Sequence, residues 1–300
     1  MTVAILPPGG QVPVGEIEAI KGRSLWADAW RRLLGNRAAV ASGIILAAIA
    51  VLCFGARVFS PYAVDAIDWN QIGEGPSAAH WFGTDENGRD LLSRVLYGGQ
   101  ISLLVGVTAT LVSLVIGVAW GAIAGYVGGR VDAVMMRTVD ILYSLPYMFF
   151  IILLVVFFGR NIILIFAALG AVQWLDMARI VRGQTLSLKR KEFIEAAHAS
   201  GVSDFDIIRR HIVPNTLGPV VVYITLTVPT VILTESFVSF LGLGVQEPMT
   251  SWGVLISEGA RSMETSPAAL IYPAAFLAVT LFCFNFIGDG LRDALDPKDR

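Results

Sequence analysis

Six long, mostly apolar runs, 38–59, 100–127, 133–158, 161–180, 217–241 and 267–288, leave this chain few folds to adopt. About 20 such residues carry a helix across a hydrocarbon core of about 30 Å. Inside lipid the backbone must satisfy its own polar groups, which helices do within a single segment. The expected fold class is therefore an all-α polytopic membrane protein with six transmembrane helices. Composition supports this, with 55% hydrophobic and 15% charged residues and a mean hydropathy of +0.67, values that exclude an ordinary soluble domain. The fourth run is the weakest, because Gln173 and Asp176 fall in its final third.

Lys and Arg collect on the cytoplasmic side of membrane proteins. With both termini inside, five lie in 1–37, two in 128–137, seven in 179–216 and three in 289–300. Only Arg57, Arg89, Arg94, Arg160 and Arg261 then lie outside. The first twenty residues carry no Lys or Arg and no short apolar region with a cleavage site, so the first run reads as an uncleaved anchor. Cys53 and Cys283 both sit in apolar runs and read as small buried residues, not as a disulfide or a metal pair.

Between the fourth and fifth runs lies a charge-rich island. Glu192 to Ser200 reads as a short helix that Gly201 ends at positive φ. Ser203 then caps a second helix, with Asp206 three residues on, and Pro214 is expected to stop that helix before the fifth run. The product is a compact knob outside the bilayer. Gly117, Gly121 and Gly125 place a small residue at every fourth position of the second run, a stripe that suits close helix packing within the chain or against another subunit. In 60–99, Asp85, Asn87 and Asp90 lack the spacing and distal Glu of a calcium loop, so a turn feeding an amphipathic interfacial helix (Leu91, Leu92, Val95, Leu96) is the better reading.

Charge at membrane depth is costly. Glu235, beyond Pro229 in the fifth run, is either a cavity-lining group or a local cap or ion pair at a broken helix end. Asp140 and Asp176 read as structural, within reach of water or of Arg137 and Arg179. None of the four lysines, Lys21, Lys189, Lys191 and Lys298, follows a glycine, which excludes a G-x-x-x-x-G-K-[ST] phosphate loop. The three histidines, His80, His198 and His211, are scattered, and no nucleophile elbow is present. No catalytic, cofactor-binding or metal-binding residues are expected in this chain.

Glu195-Ala196-Ala197, then Gly201, then His211-Ile212-Val213-Pro214 resembles the cytoplasmic loop of ATP-binding-cassette importer permeases, although His211 stands where that family usually has an aliphatic residue. Phe82-Gly83-Thr84-Asp85 with Gly88-Arg89-Asp90, Ser239 to Gly244 with Ser251-Trp252-Gly253, and Gly288 to Pro297 resemble the C-type permease subunits of the peptide and nickel importer family. Trp30-Arg31-Arg32-Leu33 to Asn36-Arg37 resembles their N-terminal module. Gly22 to Trp26, Leu175 to Gln184 and Asp296 to Arg300 are most similar to the oligopeptide-importing members.

The resemblance implies a type I importer permease in a bacterial inner membrane. It would be paired with a homologous B-type permease, two ABC ATPase subunits that bind ATP and Mg, and an extracytoplasmic peptide-binding protein. It makes the knob a coupling helix and Glu195, Ala196, Ala197, Gly201 and Pro214 the ATPase-coupling residues. The chain would divide into a cytoplasmic 1–37, a first helix and external segment 38–99, a five-helix core 100–288 holding the coupling loop 181–216, and a cytoplasmic tail 289–300. Related machines carry dipeptides, nickel chelates, opines or oligosaccharides. An ion-coupled carrier, the alternative from another class, would need an ionisable relay or inverted repeats.

Overall fold

The computed structural model describes residues 25–158 and 162–295. Arg160, the resemblance-bearing stretches at 22–24 and 296–300, and the first twenty residues, whose lack of Lys and Arg bears on the first run as an uncleaved anchor, lie outside them. Among the described residues the ordered elements are helices, with two isolated antiparallel bridges, Ile67 with Arg89 and Thr84 with Asp90.

After α1 (Leu25–Gly35), Asn36 caps α2 (Arg37–Phe54), its side chain accepting from the N–H groups of Ala38 and Ala39 at 3.1 and 3.2 Å. The first run breaks at Gly55 and ends in the single turn α3 (Ala56–Phe59). Asp90 caps α4 (Leu91–Val127), accepting from Ser93 N–H at 2.7 Å. At 37 residues α4 is about 55 Å long, well beyond the bilayer core.

The expected interfacial helix does not exist as an element. Leu91, Val95 and Leu96 lie in the first turns of α4 and are buried, Val95 and Leu96 in one cluster with Cys53 and Trp252. Gly98 and Gly99 supply the reason. Any side chain on Gly99 would run into Trp252 and Cys53, so the missing Cβ lets neighbouring chain press in.

The third run is two helices, α5 (Gly129–Ser144) and α6 (Tyr147–Phe158), bent by 82°. Pro146 accounts for the bend: it has no N–H and drives Leu145 to φ −77°, ψ 134°, an extended conformation. The fourth run continues past Ile180 as α7 (Ile162–Leu188). The glycine stripe of α4 packs within the chain, against α7. An added Cβ on Gly125 would meet Thr185 Cβ at 2.8 Å, and one on Gly121 would meet Val181 Cβ at 2.9 Å.

Beyond the knob helices α8 (Glu192–Ala199) and α9 (Asp204–Ile207), a π-turn, Ile208–Ile212, leads directly into α10 (Val213–Phe240). Pro214 therefore does not stop a helix. It lies in the first turn of α10, where the wider π-turn, closed by Val213 N–H onto Ile208 C=O, has already relaxed the ladder. Asn215 Nδ2 donates to His211 C=O at 2.6 Å. Then α11 (Trp252–Arg261), which the run pattern does not separate, precedes α12 (Ala268–Leu295).

Among the described residues four helices are long and apolar enough to cross a membrane: Arg37–Phe54, Leu91–Val127, Asp204–Phe240 and Ala268–Leu295. A fifth is reached if the bent pair α5–α6 counts as one span. The core joins α2, α4, α10, α11 and α12 around Trp252, and a second cluster at the Val127 end of α4 joins α4 and α7 to the knob.

Candidate functional site

The knob is built as a helix, a glycine reversal and a second helix. Gly201 takes φ +76°, with its N–H on His198 C=O at 2.9 Å and Val202 N–H on Ala197 C=O at 3.1 Å, the Schellman pattern. Nothing lies within 4 Å of a Cβ built there, so only the backbone conformation demands glycine. Ser203 caps α9 by accepting from Asp206 N–H at 3.2 Å, while its hydroxyl donates to the Asp206 carboxylate at 3.0 Å. Arg209 and Arg210 both reach the same carboxylate at 3.2 Å.

The knob is fastened to α4 and α7. Ile194, Ala197, Ile207 and Ile212 share a buried cluster with Tyr126, Met177 and Val181. Tyr126 donates its hydroxyl to Asp204 Oδ1 at 2.9 Å and holds His198 Nε2 at 2.7 Å. Lys189 Nζ donates to Tyr126 C=O at 2.5 Å and lies 5.4 Å from the Tyr126 ring centre.

The sequence-expected coupling residues therefore divide. Glu195, Ala196, Gly201 and Pro214 are exposed, whereas Ala197 is 9% exposed and turned inward. Ala197 does not sit on the free face, because α8 must bury one stripe to stay attached, and Ile194 and Ala197, three apart, are that stripe. Two aromatic residues that the motif does not mark stand out instead: Phe205 is 70% exposed and Phe193 43%. A large apolar side chain in a hydrophilic loop was the available signal.

Glu235 lies at 0% exposure in the interior. Ser102 and Ser239 donate to its two oxygens at 3.1 and 2.7 Å, and Trp252 N–H donates to Ser102 Oγ at 3.2 Å. Through these bonds Glu235 joins α4, α10 and the start of α11. It is not at a broken helix end, since α10 runs unbroken through Pro229 to Phe240. A cavity of about 320 Å³ opens instead at the α5–α6 elbow, lined by residues that include Tyr143, Tyr147, Gln173, Asp176 and Thr234. Asp140 pairs with Arg179 at 2.9 Å, and that guanidinium lies 4.3 Å from the Tyr143 ring centre.

At the opposite end of α4, segment 60–90 is bound by charge. Asp85 accepts from Arg89 Nε at 2.8 Å and Arg94 Nη1 at 2.5 Å. Arg94 reaches on to Glu258 and Arg89 to Glu247, each at 2.8 Å. The hydrogen bond from Arg89 holds the Glu247 carboxyl below the usual range. Among the described residues no group of three or more His, Cys, Asp or Glu is placed to hold a metal ion, and Asp85 and Asp90 are occupied by the arginines and by His80 at 2.8 Å.

Residues 117–300 match the family model described as binding-protein-dependent transport system inner membrane component. Residues 24–76 match the N-terminal TM domain of oligopeptide transport permease C. The chain is 64% identical over 283 residues to the oligopeptide transport system permease protein OppC of Escherichia coli, covering 94% of each. It is 46% identical over 288 residues to the dipeptide transport system permease protein DppC of Bacillus subtilis, covering 95% of this chain and 90% of the relative. It is also 39% identical over 277 residues to the glutathione transport system permease protein GsiD of Pectobacterium atrosepticum, covering 92% of each. The packed helices, the knob and these matches over nearly the whole length lead to one assignment: the chain belongs to the family of binding-protein-dependent transport system inner membrane components.

Proposed function

We propose that this chain is the permease subunit of an ATP-driven oligopeptide importer and forms half of its translocation pore. The relatives matched over most of the chain support the cargo class: identity is 64% to an oligopeptide permease, against 46% to a dipeptide and 39% to a glutathione permease. In this reading the chain crosses the bacterial inner membrane six times, with both termini and the knob in the cytoplasm. A homologous B-type permease completes the pore, two ABC ATPase subunits bind ATP and Mg, and an extracytoplasmic binding protein delivers peptide. Hydrolysis belongs to the ATPase subunits.

The knob is the coupling helix. The observation that carries this is its surface, where Phe193, Phe205, Glu195 and Ala196 are exposed while Ile194 and Ala197 are anchored to α4 and α7. Exposed aromatics on a rigid mount suit anchors that fill a pocket on a partner. ATP-driven closure of the ATPases would draw the knobs of the two permeases together and open the pore to the binding protein, a coupling of two states across distant sites.

The test is the double variant Phe193→Ala, Phe205→Ala. Both side chains are exposed, so the thermal midpoint of the purified subunit should hold. At about 2 kcal/mol for a lost anchor, ATPase recovery on co-purification should fall tenfold or more, and peptide uptake with it. Full ATPase recovery with normal uptake would remove the docking role from the knob.

A further inference from the structure

We propose that the chamber at the α5–α6 elbow is a binding site for the N-terminal ammonium of a peptide, with Asp176 as its anionic partner; the inference rests on the peptide-permease reading. Asp176 is near the middle of α7, about 20 Å from either end, not close to one end as the fourth run suggested. It lines the cavity of about 320 Å³ that opens where Pro146 bends the chain. Among the described residues no hydrogen bond or ion pair reaches its carboxylate. Arg179, one turn on, acts on Asp176 through its charge alone, its guanidinium being bonded to Asp140 and set against the face of Tyr143.

In the six-span reading α7 crosses the membrane, and carboxylates within membrane helices mark substrate paths or pair with a cation. No Lys or Arg is among the lining residues, so a cation that touches the carboxylate inside the cavity is to come from outside the chain. The wall decides its kind. Leu142, Leu145, Phe150 and Val172 make much of it apolar, and the oxygens beside Asp176 are neutral ones, from Tyr143, Tyr147, Gln173, Thr230 and Thr234. Calcium or magnesium is held by several charged or carbonyl oxygens, and Asp176 is the one carboxylate in this lining. A single ammonium attached to an apolar body needs one anion, a few acceptors and a greasy wall. The volume is at the lower end for small-ligand sites, so the chamber takes the first residue of a peptide and leaves the rest in the pore.

The experiment uses the full permease–ATPase complex in proteoliposomes, without the binding protein, so that its own selectivity is absent. The probe is the tripeptide Ala-benzoylphenylalanine-Ala, with a free or an acetylated N-terminus, and the sites of photolabelling are mapped by mass spectrometry. Expected are labels near Tyr147 and Phe150 from the free peptide and at least tenfold fewer from the acetylated one. Asp176→Asn should abolish that ratio at an unchanged thermal midpoint, and Asp176→Glu should restore it. Equal labelling by both probes in the unaltered complex, labelling elsewhere, or a ratio that survives Asp176→Asn overturns the inference. Peptide uptake by the same complex with binding protein added separates the two readings. Uptake without Asp176-dependent labelling defeats this site alone, and no uptake of any peptide defeats the importer reading.

Discussion

Ala196 and Ala197 are chemically identical neighbours with opposite surroundings, so the same substitution at the two positions should fail in different ways. Ala197 faces Ile194 and Ile207 in the closed cluster beneath the knob. A carboxylate there is buried without a partner and costs several kcal/mol. Ala197→Asp should therefore lower the thermal midpoint of the purified subunit and loosen the knob. Ala196 is exposed, so Ala196→Asp should leave the midpoint alone and reduce only the recovery of ATPase subunits. Measuring midpoint and co-purification side by side decides the matter, and equal behaviour of the two variants would contradict the inward stripe. The motif names both alanines, yet sequence spacing alone does not say which of two adjacent positions turns inward. Glu235 shows the same gap at a single residue. A carboxylate in an apolar run announces a special environment, but its partners Ser102 and Ser239 are 133 and 4 positions away, and the first is set by packing alone.

At the scale of elements, the α4–α7 pair depends on the absence of side chains. An added Cβ on Gly121 would come 2.9 Å from both Arg182 N and Val181 Cβ, and a backbone atom cannot swing aside. Gly121→Leu should cost about 3 kcal/mol or more by overpacking, seen as a marked fall in the thermal midpoint of the complex. Gly183→Ala is the control. It lies on α7 where an added Cβ meets nothing within 4 Å, and it should hold or slightly raise the midpoint. A fall with Gly183→Ala equal to that with Gly121→Leu would argue against close packing along the stripe. The stripe was readable from its fourfold spacing, but its partner was not, because a small-residue face is the same face whichever helix it meets. The apolar runs likewise located α2, α4, α10 and α12, since hydropathy reports what a helix passes through. Hydropathy did not report where helices break or fail to break. Pro146 bends the third run and Pro214 leaves the fifth intact, and the difference lies in the π-turn beside Pro214, a backbone feature with no residue signature of its own.

For the whole molecule, the charge asymmetry predicts that the Ser203 loop and the Ser77 segment face opposite sides of the membrane. Both serines are exposed. In a background with Cys53 and Cys283 replaced, Ser203→Cys should react with an impermeant thiol reagent only from the cytoplasmic side and Ser77→Cys only from the other. Labelling of both from one side would reject the arrangement. The two segments are fixed to opposite ends of α4: Arg94 near the start grips Asp85 and Glu258, and Tyr126 near the finish grips Asp204 and His198. Between those grips α4 has no break. A continuous helix is a ruler and a dial at once. Each inserted residue lengthens it by 1.5 Å and turns its far end by about 100°. One extra residue between Gly98 and Gly125 would leave the length almost unchanged and swing Tyr126 off the knob. Seven or eleven residues would nearly restore the turn but carry the far end about 10 or 16 Å along the axis, so ruler and dial together hold the length of this stretch fixed.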